Sequence, residues 1–388
     1  MTAPRTGRVW RSLGRYLLLA LATGLLHLAL LWLWDPLVPV PPPMVVRLCQ
    51  PGGRECPPAA APDEVVVVVG GDTAPTDAAL TTLHTRGYEY PYAATVGLLR
   101  SSDLTLVNLE APVTERNEPF ALYKRYVYRV EPAALEALAW AGVGAVTLAN
   151  NHIMDYGVGG VEDTLEQLRR AGIVPVGAGT SAAQARRGVV FEVRGVRLGV
   201  LSFLEDSLMH SIYVRSFAGA WRPGCARMSL ASAKEDIARL RRRADLVLVV
   251  AHWGASYGEV TWRQRYLGKA LIDYGADVVV GHHPHVHQPV AVHRGKPIVY
   301  SLGNYAFGTP GQDWFRHGLL ARLRIRGTSL RRLELIPLLV QNRMVHFKPE
   351  PERGGAAASM LRALARSSAR HGARLRVVGD MAVWEPGR

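Results

Sequence analysis

Four histidines follow an apolar run in the segment VVVGHHPHVHQPV, residues 278–290: His282, His283, His285 and His287. The whole chain of 388 residues contains only 13 histidines. A buried imidazole needs a polar partner, and imidazole is a common metal ligand. Because alternate residues of a strand face the same side, His283 and His285 are expected to share one centre while His282 points elsewhere. The segment therefore predicts a metal site at the end of a buried strand.

The same kind of ending recurs along the chain, where other apolar runs stop at polar residues that can bind metals. In open α/β sheets, ligands bind beyond the carboxyl ends of the strands, so these residues are expected to converge. Carboxylate, amide and imidazole groups without cysteine favour a pair of divalent ions such as Mn, Zn or Fe. The residues concerned are Asp72, Asn108, Glu110, Asn150, Asn151, His152, His252, His282, His283 and His285.

Each of these residues, taken alone, also has a simpler explanation. Asp72 follows two glycines and could be a turn residue or a helix cap. Asn150 and Asn151 could tolerate a left-handed backbone at a turn. His252 could be a core histidine whose ring is satisfied by a carbonyl group. The metal-site prediction rests on the recurrence of such residues at successive strand ends.

From residue 64 onward, predicted strands alternate with predicted helices, as is typical of an α/β fold. The run of valines that begins there reads as a fully buried strand. Residues 188–203 alternate in polarity and turn at Gly195, which predicts a β-hairpin. Alternating runs at 318–326 and 330–340 are expected to add an edge to a sheet.

The N-terminal region predicts a single membrane span. Residues 16–34 are apolar almost throughout and long enough, as a helix, to cross a hydrocarbon core of about 30 Å. Arginines in the basic tail, residues 1–15, place the N-terminus in the cytoplasm and the main domain outside it, at the cell membrane. A cleaved signal peptide is the alternative, but the apolar region is long and no small-residue cleavage pattern follows it.

Composition divides the rest of the chain into three parts. Residues 35–63 are rich in proline and predict an extended, semi-rigid linker. Residues 64–345 contain the strand and helix pattern and form the predicted main domain. Residues 346–388 predict a basic, alanine-rich helical extension, which could cover the sheet edge or contact anionic lipid.

The chain has three cysteines, too few for a cysteine-rich metal site. Cys49 and Cys56 lie in the linker, where an oxidising compartment would favour a small disulfide loop. Cys225 is expected to be a lone thiol.

The net charge of +14 does not predict nucleic-acid binding. The basic residues are mostly arginine and are spread through helices and tails rather than gathered in one patch with interleaved aromatic residues. Arginine-favouring codon usage together with a membrane-facing surface explains the charge better. Hydrophobic residues at 48% and charged residues at 20% exclude global disorder.

A series of motifs in a fixed order resembles the CapA family of poly-γ-glutamate capsule synthesis proteins, which are similar to calcineurin-like metallophosphoesterases. The resemblance covers roughly residues 65–310. It implies a four-layer αββα sandwich: two mixed sheets packed face to face, helices outside, and an active centre at one end. The motifs are GGDTAPTD, DLTLVNLEAPVT, TLANNHIMDYG, VVAHWGASYGE, GADVVVGHHPHVHQPV and IVYSLGNYAFG.

The resemblance also implies roles for individual residues. Two ions would be bridged by Glu110, while His152, oriented by Asp155, would protonate a leaving group. Lys124 and Arg129 lie in a basic-aromatic segment and could bind a phosphate or carboxylate of the substrate, or could be solvated. The implied metal ligands are Asp72, Glu110, Asn151, His252, His283 and His285, with Asn108, Asn150 and His282 as additional candidates.

Two departures separate the sequence from true phosphoesterases. The Asp-x-His element is missing, because Asp72 is followed by Thr73 and Ala74. Glu110 stands where an aspartate would bridge the metals. Both features weaken the prediction of ordinary phosphatase activity.

Three functions therefore remain at the sequence level. The first is a membrane-anchored CapA-type protein for synthesis or export of an anionic polymer such as poly-γ-glutamate, with other capsule-synthesis membrane proteins as partners. The second is an extracytoplasmic metallophosphoesterase that acts on nucleotides or other phosphoesters. The third is a non-catalytic, polymer-binding scaffold subunit.

Overall fold

A computed structural model of the chain describes most of the sequence. The described residues are 38–48, 64–120, 124–207, 210, 215–308 and 316–387. The predicted span at 16–34 and the pair Cys49 and Cys56 lie outside them. Within the described ranges, no helix combines the length and apolar character that crossing a bilayer requires. The chain divides into two units, Met1–Pro39 and Val40–Arg388, and the second is described below.

The strands and helices are numbered in chain order. The strands are β1 (Met44–Arg47), β2 (Glu64–Ala74), β3 (Leu104–Leu109), β4 (Val143–Thr147), β5 (Val174–Val176), β6 (Ala178–Gly179), β7 (Val189–Val193), β8 (Val196–Glu205), β9 (Gly224–Cys225), β10 (Arg227–Met228), β11 (Leu246–His252), β12 (Val278–His282), β13 (Val290–His293), β14 (Lys296–Val299), β15 (Asn304–Phe307), β16 (His317–Arg326), β17 (Ser329–Leu339), β18 (Glu350–Pro351), β19 (Arg376–Val378) and β20 (Met381–Trp384). The α-helices are α1 (Leu80–Arg86), α2 (Val96–Arg100), α3 (Ala133–Trp140), α4 (Gly157–Arg170), α5 (Ala182–Ala185), α6 (Leu230–Arg241), α7 (Trp262–Asp273), α8 (Asn342–Val345) and α9 (Gly354–Ala369).

Two large mixed sheets form the frame. The first has the order β1-β7-β8-β11-β12-β14-β13, with β10 beside β8. The second has the order β19-β20-β17-β16-β2-β3-β4-β5, with β15 beside β2 and β18 beside β17. β7 and β8 form the antiparallel hairpin predicted at Gly195, whose φ of 78° suits glycine at the turn.

The sheets pack face to face, and helices cover their outer faces. In β2, Val65, Val67 and Val69 lie in the core shared with β8, β11 and β12, whereas Val68 faces the helices on the other side. Helices α3 and α4 pack on the outer face of the second sheet, and α6 and α7 pack on that of the first. Each fully buried valine or leucine stabilises this arrangement by about 1.5–3 kcal/mol. The predicted α/β sandwich is confirmed.

Parallel pairing brings the strand ends together. In the second sheet Asp72 of β2 lies opposite Asn108 of β3, which in turn lies opposite Thr147 of β4. In the first sheet His252 of β11 lies opposite His282 of β12. The carboxyl ends of these strands therefore deliver polar side chains to one end of the sandwich.

Two segments differ from the sequence-based expectation, and a third contains a predicted helix. Part of the predicted linker is β1, which pairs in parallel with β7 and packs Met44 and Val46 against the core between the sheets. The runs that form β16 and β17 do not make an edge, because β20 pairs with β17 and β19 follows it. The predicted C-terminal helix is α9, which buries Leu361 and Leu364 in the same core.

Candidate metal centre

The carboxylate of Glu110 belongs to two groups of side chains that could each hold a metal ion. One group is Glu110, His252 and His283; the other is Asp72, Glu110 and His285. Within each group one ligand atom per residue lies within 4.8 Å of the others. Oε1 of Glu110 is 3.5 Å from Nε2 of His252 and 3.7 Å from Nε2 of His285. Glu110 is therefore the residue that the two candidate groups share.

Asp72 is held as a buried carboxylate. Its Oδ1 accepts a hydrogen bond from Nδ2 of Asn108 at 2.8 Å and lies 3.1 Å from Nδ1 of His282. Its Oδ2 accepts a hydrogen bond from the backbone N–H of His283 at 3.2 Å. Burial, the largest single influence, raises the pKa of Asp72, but the hydrogen bonds of His282 and Asn108 and the charges of His282 and His285 together lower the pKa to about 2. Asp72 is thus ionised at neutral pH.

The pKa of Glu110 is shifted in the opposite direction to that of Asp72. Burial, followed by the negative charge of Asp72, raises the pKa of Glu110 well above its ordinary value. Its Oε1 is buried and has no hydrogen-bond partner within the described part of the chain. A buried acceptor without a partner costs about 1–3 kcal/mol, which a bound cation would offset. This oxygen, together with the surrounding imidazole and amide groups, fits a site for divalent ions.

His252 and His283 offer neutral ring nitrogens. Nε2 of His252 lies 2.8 Å from Oδ1 of Asn151 and 3.1 Å from Nδ1 of His283. Burial lowers the pKa of His252 well below its ordinary value and lowers that of His283 to about 3. Both rings are therefore neutral near pH 7 and keep the lone pairs that metal binding requires.

The backbone after β12 corrects one expectation. His283 and His285 have φ angles of 92° and 58°, so strand alternation stops at His282. As a result His282 points at Asp72, and His283 and His285 enter different ligand groups instead of sharing one. Left-handed backbone at bulky residues costs about 1–3 kcal/mol and is typical of functional sites.

His152, Asp155 and Lys124 form a second cluster beside the metal ligands. Nδ1 of His152 lies 2.7 Å from Oδ2 of Asp155, and Nζ of Lys124 donates to Oδ1 of Asp155 at 2.5 Å. Lys124 also donates to the carbonyl oxygen of Asn151 at 2.8 Å. The ring of Tyr128 stacks on His152 with centroids 4.2 Å apart. These contacts fix the His152 ring and leave Nε2 as the nitrogen for a substrate.

The remaining predicted residues are placed differently. Asn150 shapes the loop, because its Nδ2 donates to the carbonyl oxygen of Leu109 at 2.8 Å and its Oδ1 accepts from the N–H of His152 at 3.1 Å. The Arg129 guanidinium donates to the carbonyl oxygen of Arg116 at 2.7 Å, which fastens a surface loop. Asn150, an additional ligand candidate, and Arg129, a predicted substrate-binding residue, thus both make contacts that shape loops.

Sequence reasoning missed several neighbours of the centre. Oδ1 of Asn304 lies 2.9 Å from Nδ1 of His285, and Asn304 pairs in register with Asp72. The motif around Asn304 could have signalled this. The charge of His210 contributes to the lowered pKa values of His252 and His283, although nothing in its local sequence indicates such a role.

Gly71 is predicted to be essential for the position of Asp72. A Cβ at Gly71 would lie 2.1 Å from the carbonyl oxygen of Gly303, which accepts the N–H of Asp72 at 2.9 Å. We expect Gly71→Ala to destabilise the fold by about 1–3 kcal/mol, measured by urea denaturation. Gly97→Ala is the control, because no atom lies within 4 Å of a Cβ there and alanine favours the helix. Equal stability of the two variants would contradict the steric argument.

The pKa of His152 predicts how stability depends on pH. Burial, with the charge of Lys124, lowers the pKa of His152 from 6.5 to about 4. The unfolded chain therefore binds a proton that the folded chain does not, and stability falls as the pH falls from 6.5 to about 4. In EDTA-treated protein, we expect His152→Asn to remove up to about 3 kcal/mol of this decline. The exposed His84→Asn variant should decline like the unmodified protein, and a parallel decline in His152→Asn would refute the assignment.

A family model described as bacterial capsule synthesis protein PGA_cap matches residues 66–309. The chain belongs to the PGA_cap family. The match includes every metal-ligand candidate and ends before α8 and α9.

Relatives of the PGA_cap chain carry related descriptions. The chain is 33% identical over 246 residues to the PGA biosynthesis protein CapA of Bacillus subtilis, and the match covers 62% of each chain. It is 32% identical over 262 residues to the capsule biosynthesis protein CapA of Bacillus anthracis, covering 66% of this chain and 62% of that one. A probable polyglutamine synthesis accessory protein of Mycobacterium tuberculosis is 32% identical over 269 residues, covering 65% of this chain and 70% of that one. The match thus spans less than two thirds of each Bacillus relative.

Proposed function

We propose that this chain is a membrane-anchored protein for the synthesis or export of an anionic capsule polymer of the poly-γ-glutamate type, with a hydrolase-type centre for two divalent ions. The observation that carries the proposal is the position of Glu110 in two ligand groups that combine residues of both sheets. The helix–sheet–sheet–helix order supports a metallophosphoesterase-like fold. The names of the relatives, which refer to capsule, PGA or polyglutamine synthesis, support the biological setting.

The ligand set fits two ions that share one carboxylate. When bound, such ions supply an activated water at neutral pH and neutralise charge that develops on a phosphoryl or acyl oxygen. The side chains would hold them by three kinds of donor atom: carboxylate oxygens, one amide oxygen and imidazole nitrogens. The residues concerned are Asp72, Glu110, Asn151, His252, His283 and His285.

His152 is the proposed proton donor to the leaving group. With a pKa of about 4 it is neutral at pH 7 in the free protein. An anionic substrate group beside Nε2 would raise that pKa, because a nearby negative charge favours the imidazolium form. Asp155 then stabilises the charged ring through its contact with Nδ1 at 2.7 Å. Lys124 fixes Asp155 and balances its charge.

The membrane anchor and the partners belong to the same proposal. Residues 16–34 would tether the chain to the cell membrane with the main domain outside the cytoplasm. The net charge of +14 suits an anionic polymer, and other capsule-synthesis membrane proteins would complete the machinery.

Metal content tests this proposal directly. Full-length protein purified in detergent should contain about two divalent ions per chain after incubation with Mn or Zn and desalting, as measured by mass spectrometry of the elements. Fewer than one ion per chain would overturn the two-ion centre and leave a scaffold role.

A second candidate, an extracytoplasmic phosphoesterase, is favoured by the cluster of His152, Asp155 and Lys124 beside the ligands. Such a cluster suits protonation of an alkoxide leaving group. Turnover of a chromogenic phosphodiester by the metal-loaded protein, at rates comparable with turnover of a γ-glutamyl amide, would favour it. Turnover of the amide alone would exclude it.

A further inference from the structure

A groove of about 690 Å³ lies beside the metal centre, between α9 and the loops that follow β11 and β12. This volume is within the range of about 300–1,000 Å³ that is typical of ligand pockets. One end of the groove is formed by Tyr257, whose ring stacks on that of His285 with centroids 5.7 Å apart. The groove lining therefore includes a side chain that contacts a candidate metal ligand.

Two guanidinium groups line the far side of this groove. Arg366 lies in α9 and Arg370 directly follows its last residue; both are exposed, and their spacing of four residues places them on the same side of the helix end. In the described part of the chain neither forms a hydrogen bond or ion pair with another residue. Glu259 is the one carboxylate among the residues that line the groove. The groove thus carries net positive charge.

The electrostatics of a neighbouring histidine agree with this charge balance. His371 follows Arg370 directly, and burial lowers its pKa. The charges of Arg265 and Arg370 lower that pKa further, against the smaller opposing effect of Glu259. Two guanidinium groups and one carboxylate thus act on His371 beside the groove.

The groove is preformed by buried contacts. Oε1 of Gln288 accepts a hydrogen bond from Gln264 at 2.8 Å, and its Nε2 donates to the carbonyl oxygen of Gly258 at 2.9 Å. Oγ of Ser368 accepts from the N–H of Val290 at 3.0 Å, which fastens α9 to β13. A rigid wall lowers the entropic cost of binding a flexible ligand. Because α9 lies outside the matched region 66–309, this wall is not described by the family match.

We propose that this groove binds an extended polyanion, whose carboxylate or phosphate groups contact Arg366 and Arg370 while the neighbouring unit passes Tyr257 to the metal centre. Carboxylate and phosphate share the chemistry that matters, since guanidinium binds both through paired, charge-assisted hydrogen bonds. The inference rests on the proposed function only for what happens at the metal end. Binding in the groove itself needs no metal.

The test uses full-length, EDTA-treated protein and a fluorescein-labelled oligo-γ-glutamate, with binding followed by fluorescence anisotropy. The double variant Arg366→Gln/Arg370→Gln should weaken binding roughly tenfold, as expected for the loss of two exposed charge contacts. Arg362→Gln/Arg374→Gln removes the same charge from exposed positions outside the groove lining and should change binding less than about twofold. Polyphosphate as a competitor identifies the preferred anion, because the better ligand displaces the probe at lower concentration.

The outcomes separate the groove from the catalytic proposal. Metal content should be unchanged in Arg366→Gln/Arg370→Gln, because neither arginine belongs to the candidate ligand groups. Unaltered binding in that variant, or an equal loss in the control pair, would overturn the groove as a binding site. If the protein bound no metal yet lost oligo-γ-glutamate binding in the groove variant, the groove would stand and the hydrolase centre would not.

Discussion

Glu110→Gln is expected to weaken metal binding and, in the metal-free protein, to increase the free energy of unfolding. Glutamine keeps the shape of the side chain but removes the charge that both ligand groups share, so bound metal should fall from about two ions per chain to at most one. We expect an affinity loss of more than about 100-fold, which is the upper range for changes to residues that only orient ligands. Elemental analysis and metal titration measure this loss.

The stability effect of the same change runs the other way in EDTA-treated protein. Glu110 is buried with an unpartnered oxygen, and its pKa is raised by burial and by Asp72. A neutral amide that can donate to nearby ring nitrogens should raise the free energy of unfolding by about 1–3 kcal/mol. Glu115→Gln, at an exposed position, is the matched control and should change neither quantity. A Glu110→Gln protein that retains two ions would refute the bridging role.

His152→Ala is expected to abolish most turnover while leaving metal content intact. If Nε2 of His152 donates the proton to the leaving group, its loss should lower the rate of phosphodiester or amide hydrolysis by about 10²- to 10⁴-fold. His84→Ala, at a half-exposed position on α1, should retain full activity. Activity assays and elemental analysis on the same preparations give both quantities.

Two outcomes would contradict this role of His152. Retained turnover in His152→Ala would show that another group donates the proton. Loss of bound metal in that variant would show that His152 acts by supporting the ligands, because Asn151 and Lys124 pack beside it. A leaving group with a low pKa, such as nitrophenolate, should show a smaller defect than an alkoxide, since it needs less protonation.

The pattern of apolar residues predicted the ends of the strands well, because strands buried in a parallel sheet are nearly continuous apolar runs. The valines of β2 and the run that forms β11 define strands whose last residues must emerge at one edge. From that rule alone Asp72, Glu110, Asn151 and His252 could be assigned to one centre, and the structure places them together.

Residues that depend on backbone conformation or on distant pairing could not be predicted in this way. The positive φ angles of His283 and His285 redirect both rings, and strand alternation gives no sign of them. The charge of His210 lowers the pKa values of His252 and His283, and the local sequence around His210 gives no sign of this effect. The place of β1 in the first sheet depends on pairing with β7, more than 140 residues away in the chain. Such long-range contacts are set by the global fold rather than by local propensity.

The ligand atoms come from opposite layers of the sandwich: Asp72 and Glu110 extend from the second sheet, and His252, His283 and His285 from the first. An ion bound between them would link the two sheets where they face each other. Binding to the folded chain alone adds stability that grows with the logarithm of free ion concentration, by about 2.7 kcal/mol at 100 times the dissociation constant. The concentration of free divalent ions in the compartment would therefore determine the stability of the packing between the two sheets, as well as whether the centre can react.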